Sequence, residues 1–259
     1  MAHDLPALLE CAADLARSAG DVILAARANG FAVSAKADAS PVTDADRAAE
    51  ALIREGLAPI GIPIVAEEAE AAGAASTPSG EYWLVDPLDG TREFAAGRDE
   101  FTVNIGLVRN GRPVLGVVLL PASAELFLGI PGSGCWKETG WRNGAAGARR
   151  AIHARMPPAE GATVYASRQH RDGARLVAWL AARRPHRVVN IGSAVKFCRL
   201  AEGAGDLYPR FGTTMEWDTA GPQAVLEAAG GACLAADGAP LGYGKPGWRN
   251  GDFLCRGLA

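Results

Sequence analysis

Residues 82–91 read Tyr82-Trp83-Leu84-Val85-Asp86-Pro87-Leu88-Asp89-Gly90-Thr91. Four apolar residues of strand-forming type run into an acidic turn. Pro87 stiffens that turn, and Gly90 lets the backbone come close to a ligand. Asp86 and Asp89 can then face one point at the strand's end, and hard divalent cations such as Mg²⁺ take oxygen ligands of this kind. The backbone amides of Gly90 and Thr91 could hold a phosphate oxygen where the next helix begins. A plain structural turn has the same composition, since Asp-Pro and Asp-Gly are ordinary turn dipeptides. The surroundings of the motif have to decide.

Glu67-Glu68 stands 19 residues before Asp86, behind a short apolar strand expected over Ile62–Val65. A solvated acidic pair at a strand end is the plainer alternative. Far downstream, Trp217-Asp218-Thr219-Ala220 opens a helix expected over Asp218–Ala229, with Pro222 in its first turn and Gly230 just past its end. There Asp218 reads equally as an N-cap, and capping does not exclude metal ligation. Thr43-Asp44-Ala45-Asp46 has T-x-x-D spacing at a helix expected over residues 41–58, with Pro41 near its start. It is either a capping box or the means by which Asp46 hydrogen-bonds Thr91 and helps it orient a water.

The rest of the chain supplies a frame for these groups. Leu5, Leu8, Leu9, Ala12, Leu15, Ala16, Ala19, Val22 and Ile23 recur at helical spacing, which predicts an amphipathic helix to about Ala28. Residues 69–80 are small and polar and read as a loop. Strand-like runs follow at Phe101–Val108, Pro113–Leu120 and Glu125–Ile130, with the hairpin signal Asn110-Gly111 between the first two. The Gly-rich residues 129–140 lack the order of a P-loop and read as hairpin turns. Beyond Pro157-Pro158, strands at Thr163–Ala166 and Val188–Asn190 alternate with helices at Arg171–Ala182 and Ser193–Glu202, and the chain ends in a short strand. Layered α+β follows, antiparallel-rich over residues 1–156 and α/β over 157–259.

The composition fits a soluble globular protein of 259 residues, 49% apolar and 21% charged. A net charge of −3 argues against a non-specific nucleic-acid binder. Five cysteines without C-x-x-C spacing argue against a disulfide framework and a structural zinc site, and point to a reducing cytoplasm. Residues 1–9 lack the pattern of a signal peptide, and no apolar run is long enough to span a bilayer. His3, His153, His170 and His186 form no ligand pattern, and no G-x-S-x-G elbow supports a serine hydrolase. Arg168, His170, Arg171 and Arg183-Arg184 read as a solvated basic face, with a wall for a second phosphate as the alternative.

Asp86–Thr91, Glu67-Glu68 and Trp217-Asp218 together resemble the inositol-monophosphatase superfamily of lithium-sensitive phosphatases. Further segments resemble one branch, the bacterial 3′(2′),5′-bisphosphate nucleotidases of the CysQ type. They are Pro41-Val42-Thr43, Tyr82–Asp86, Arg92-Glu93-Phe94, Glu100–Gly106, Gly192–Cys198, Tyr208–Gly212 and Trp217–Ala220. Two positions depart from that branch: Arg92 stands for the usual Lys, and Ala194-Val195 for a Ser-Leu pair. The resemblance implies a layered αβαβα fold. It implies two or three Mg²⁺ ions held by Glu67, Asp86, Asp89, Asp218 and the Leu88 carbonyl. Thr91 and Asp46 would assist the attacking water, with Glu67 beside it. Gly90, Ser193, Lys196 and Arg210 would join the ligand positions around the substrate. That substrate would be a small phosphorylated molecule, adenosine 3′,5′-bisphosphate, cleared as a by-product of sulfate assimilation. Inositol 1-phosphate is the alternative within the same chemistry, and a metal- or nucleotide-binding protein without turnover is the alternative outside it. The resemblance admits a monomer or a homodimer, and a peripheral place on the cytoplasmic face of the inner membrane for which no basic amphipathic helix argues.

Overall fold

The computed structural model describes residues 3–35, 41–74, 78–168 and 173–258. Seven helices are described: α1 (Leu5–Asn29), α2 (Asp44–Leu57), α3 (Glu67–Ala71), α4 (Thr91–Ala95), α5 (Gly173–Arg183), α6 (Val195–Ala201) and α7 (Ala220–Ala228). The first nine strands are β1 (Val33–Ala35), β2 (Pro41–Thr43), β3 (Ile64–Ala66), β4 (Glu81–Asp89), β5 (Thr102–Arg109), β6 (Arg112–Leu120), β7 (Glu125–Ile130), β8 (Gly134–Thr139) and β9 (Ala148–Ala151). The rest are β10 (Thr163–Ser167), β11 (Arg187–Ile191), β12 (Leu207–Arg210), β13 (Thr214–Met215), β14 (Ala232–Ala235), β15 (Arg249–Asn250) and β16 (Phe253–Arg256).

Strands β3 to β9 form one seven-stranded sheet in chain order, with β3 parallel to β4 and every later pair antiparallel. The Asn110-Gly111 turn has both residues at positive φ, 51° and 73°, as a tight hairpin of this twist requires. Side chains of β5 to β7 alternate between the two faces with period two. Ile105, Val117 and Leu128 meet α1 and α2 on one face, in a core with Leu9, Ala16, Ile23 and Ile53. On the other face, Gly106, Gly116 and Gly129 stand opposite one another across three adjacent strands. A Cβ on Gly106 would lie 2.5 Å from the Gly221 nitrogen, and one on Gly116 2.1 Å from the Gly221 oxygen. The three glycines form a trough in which α7 lies backbone against backbone.

A second sheet, ordered β11-β10-β12-β16-β14, covers the far side of α6 and α7. Helix α5 makes the crossover between parallel β10 and β11 and completes the order helix, sheet, helix, sheet, helix. The five cysteines are free thiols. Cys233 and Cys255 face each other across β14 and β16, with sulfurs 3.1 Å apart.

Several boundaries differ from the sequence reading. Residues 41–43 are a strand paired with β1, and α2 starts only at Asp44. Pro41 therefore precedes the helix, and extended Thr43 is its cap. Helix α3 takes the start of the expected loop at 69–80, and its three acidic residues, Glu67, Glu68 and Glu70, suit the positive end of a helix. Residues 134–139 form β8 instead of turns alone. His170 and Arg171 lie outside the described residues.

A charge network joins β7 and β8 to α6. Arg199 Nη2 lies 2.7 Å from Glu125, Arg199 also meets Glu202, and Lys137 bonds both carboxylates. Against burial, these two cations hold the Glu125 carboxyl at about 2, below its ordinary 4.5. A lowered carboxylate stabilises the fold above its unfolded value and loses that contribution as pH falls between 4.5 and 2. Glu125→Gln should cost about 3 kcal/mol in denaturant unfolding at neutral pH. The variant and the parent should converge as pH approaches about 2. A difference that persists there would sink the ionic account.

Candidate active site

Strand β4 does not stop at Asp86 but continues to Asp89. Its pairing with β5 runs from Asp86↔Asn104 to Asp89↔Thr102, so β4 carries one extra residue at that place. Pro87, which has no N–H to give to the ladder, sits in this bulge. The bulge aims two carboxylates from one strand end into the same cleft. Asp86 is buried, and its Oδ1 accepts from the Leu88 amide at 3.0 Å. Asp89 Oδ2 accepts from the Ala194 amide at 2.6 Å. Gly90 follows at φ 92°, where a Cβ would come within 2.8 Å of the Glu100 carbonyl. No other residue type fits there without moving the chain.

Thr91 opens α4. Its Oγ1 lies 3.1 Å from Asp46 Oδ1 and 3.0 Å from the Leu88 carbonyl. One hydroxyl proton serves two acceptors, so Thr91 can give it to only one at a time. Asp46 Oδ2 accepts from the Thr43 amide at 2.8 Å, and its own amide bonds Thr43 Oγ1 in a closed capping box. The capping box therefore closes on one carboxylate oxygen of Asp46, and the contact with Thr91 falls on the other.

Glu67 is the first residue of α3, and its carboxyl hydrogen-bonds that of Asp86. Asp218 is not the cap of α7. It lies one residue before the cap, Thr219, and its Oδ2 accepts from the Met215 amide at 2.8 Å. Trp217 packs behind it with Val65, Leu84 and Trp248.

Burial first, then the charges of Glu67, Asp89 and Asp218, pushes the Asp86 carboxyl well above the usual range. Asp218 is raised well above it too, by burial and then by Asp89 and Glu67. Burial also raises Asp89, against the pull of Lys196. Carboxylates that repel each other in a buried cleft fit a divalent cation, which removes the cause of the shift. Among the described residues no three acidic, His or Cys side chains already close into a ligand shell. Asp86, Asp89 and Asp218 are each held through one oxygen by a backbone amide.

These groups line a cavity of about 400 Å³ together with Thr91, Ser193, Lys196 and Arg210. Ser193 does not begin a helix as expected. It stands at φ 48° ahead of α6, in a turn held by Glu100 on the Gly192 amide and by Asp89 on the Ala194 amide. Lys196 is buried and turns its amine to the Ile191 and Ser193 carbonyls, and burial draws it down to about 8. Arg210 Nη1 is held by Ser167 Oγ at 2.8 Å. Arg168 lines the cavity and pairs with Glu100, whereas Arg183 lies over the Trp179 ring. Sequence reasoning missed Glu50 and Glu100, which bind backbone amides of the segments that begin at Glu67 and Gly192. For Glu50 the signal was its place one helical turn after Asp46.

The sequence model of the inositol monophosphatase family matches residues 4–254. The chain belongs to the inositol monophosphatase family. Within the family, the chain is 42% identical over 242 residues to the 3′(2′),5′-bisphosphate nucleotidase CysQ of Salmonella typhimurium, covering 91% of this chain and 94% of that protein. The CysQ of Escherichia coli is 41% identical over the same coverage. The crystal structure of CysQ from Bacteroides thetaiotaomicron superimposes with a TM-score of 0.81 at 33% identity, over 98% of each chain. In this family fold, both sheets, α6 and the residue that caps α7 contribute to the cavity. No helix of the described residues is long and apolar enough to cross a membrane.

Proposed function

We propose that the chain is a Mg²⁺-dependent phosphomonoesterase, a 3′(2′),5′-bisphosphate nucleotidase that converts adenosine 3′,5′-bisphosphate to AMP and phosphate. One observation carries the reading. Relatives that share about four residues in ten over nearly their whole length are nucleotidases of this kind, and the buried acidic cleft has the chemistry their reaction needs. Glu67, Asp86, Asp89 and Asp218, with the Leu88 carbonyl, would hold the magnesium. Bound there, magnesium supplies positive charge to the phosphoryl group and acidity to a water.

The chain's own residues do the rest. Asp46 Oδ1 draws the Thr91 proton, which leaves the Thr91 oxygen lone pairs to accept from a water and aim it at phosphorus. The water's proton passes to this pair as the phosphorus–oxygen ester bond breaks, and the departing ribose oxygen takes up a proton from solvent. Ser193, Lys196 and Arg210 line the same cavity as the carboxylates. They supply polar and positive groups to a substrate with two phosphates. We take residues 1–156 and 157–259 as two subdomains with the cleft at their seam.

The test compares phosphate release from adenosine 3′,5′-bisphosphate and inositol 1-phosphate, each with Mg²⁺ and with EDTA. Release from the nucleotide should be faster by at least about tenfold, and EDTA should abolish it. Faster release from inositol 1-phosphate would overturn the substrate. Full activity in EDTA would overturn the metal.

A further inference from the structure

Helix α3 is five residues long and opens on Glu67. Its capping position is Ala66, which has no side-chain oxygen to accept from the first N–H groups. Those donors are met from another helix. Glu50 Oε2 accepts from the Glu68 amide at 2.7 Å, and Glu50 Oε1 accepts from the Ala69 amide at 2.9 Å. These are the second and third amides of the helix, the ones a capping side chain ordinarily serves. A helix this short does not hold itself in water, so its first turn depends on what grips it.

Glu50 has the features of a built clamp. It is 4% exposed, and a buried carboxylate is costly unless its oxygens find donors. Arg54, one turn on, stands 3.7 Å from it. Four residues before Glu50 on the same helix is Asp46, and side chains at that spacing share a face. Asp46 holds Thr91 at 3.1 Å while Glu50 holds the turn that begins with Glu67. A single face of α2 thus grips the hydroxyl expected to aim the water and the segment bearing the carboxylate expected to hold metal.

We infer that Glu50 is a positioning residue for the metal site: by gripping the Glu68 and Ala69 amides, it fixes Glu67 relative to the Asp46–Thr91 pair. This rests on the reading of Glu67 as a metal ligand. Mg²⁺ demands near-ideal octahedral geometry, so a frayed first turn in α3 should show directly in metal affinity.

The experiment is calorimetric titration of Mg²⁺ into the full chain without substrate. It uses the parent protein, Glu50→Gln, Glu50→Asp, Glu67→Gln and Ile53→Val. Glutamine keeps the shape of Glu50 but turns an NH₂ group toward one of the two amides; aspartate keeps the charge but falls short of both. In each Glu50 variant the Mg²⁺ dissociation constant should rise about 10- to 100-fold, and amide exchange at Glu68 and Ala69 should accelerate. Ile53→Val trims the buried core side of the same helix. It should lower the melting temperature and leave Mg²⁺ affinity unchanged. Parent-like Mg²⁺ affinity in both Glu50 variants, with affinity lost in Glu67→Gln, would overturn the role of Glu50 alone. Equal weakening by Ile53→Val would reduce the effect to general stability and also overturn it. Parent-like affinity in Glu67→Gln would overturn the ligand assignment and the inference with it.

Discussion

Asp86→Asn should lower Mg²⁺-dependent phosphate release by at least about three orders of magnitude, roughly 4 kcal/mol of transition-state stabilisation. The same change should raise the melting temperature in EDTA. Asp86 is buried and repelled by Glu67, Asp89 and Asp218. Asparagine keeps the oxygen that accepts from the Leu88 amide and removes the charge. Relief of about 1–2 kcal/mol corresponds to roughly 2–8 °C for a chain of this size. Added Mg²⁺ should stabilise the parent, because it binds the folded state, and should leave the variant unmoved. Thermal melts of both proteins in EDTA and in excess Mg²⁺ check the point. A variant that melts below the parent in EDTA would show that Asp86 serves the fold and not an absent cation.

Thr91→Ala should lower kcat by about 10²- to 10⁴-fold with little change in KM. Its hydroxyl lies within reach of both Asp46 and the Leu88 carbonyl, and alanine removes the hydroxyl expected to aim the water. Thr91→Ser restores the hydroxyl and should recover most of the rate. Asp46→Asn should also lower kcat, yet add little once Thr91 is alanine, because the two act as a unit. Stability is the wrong readout for Asp46, which closes the capping box of α2 as well and whose loss would cost about 1 kcal/mol for that reason alone. Steady-state kinetics of the two single variants and the double variant decide it. Fully additive losses in kcat would separate Asp46 from the hydroxyl.

The strands and long helices were legible because their apolar residues repeat at two- and four-residue intervals, as in β5, β6 and α1. Glu67 and Asp86 were legible as ligand candidates because each follows a short apolar run, Asp89 because it shares the turn with Asp86, and Asp218 because Trp217-Asp218 opens a helix. Three of the misplacements share one cause: a residue with two uses. Pro41 suits a first helical turn and an edge strand alike, and the pairing with β1 decides for the strand. Asp218 suits an N-cap, but its carboxylate turns back to Met215 and Thr219 takes the cap position. Ser193 looks like the start of a helix, but contacts from Glu100 and Asp89, about a hundred residues away, hold the segment in a left-handed turn. Glu50 carried a partial signal, its place one helical turn after Asp46, but no local pattern tells a helix carboxylate that it will cap another helix 18 residues on.

The glycine trough under α7 bears on how this site could persist while its sequence drifts. Most helices rest on side chains, and each exchange of a core residue shifts them slightly. Helix α7 rests on main chain at Gly106 and Gly116, which every sequence shares, and Asp218 lies just ahead of its first turn. Exchanges among the valines and leucines around it therefore have little leverage on that carboxylate. The glycines themselves have no such freedom, although Gly→Ala is a routine way to stiffen a protein. A lineage could repaint most of this core and keep its chemistry, provided it left three hydrogen atoms where they are.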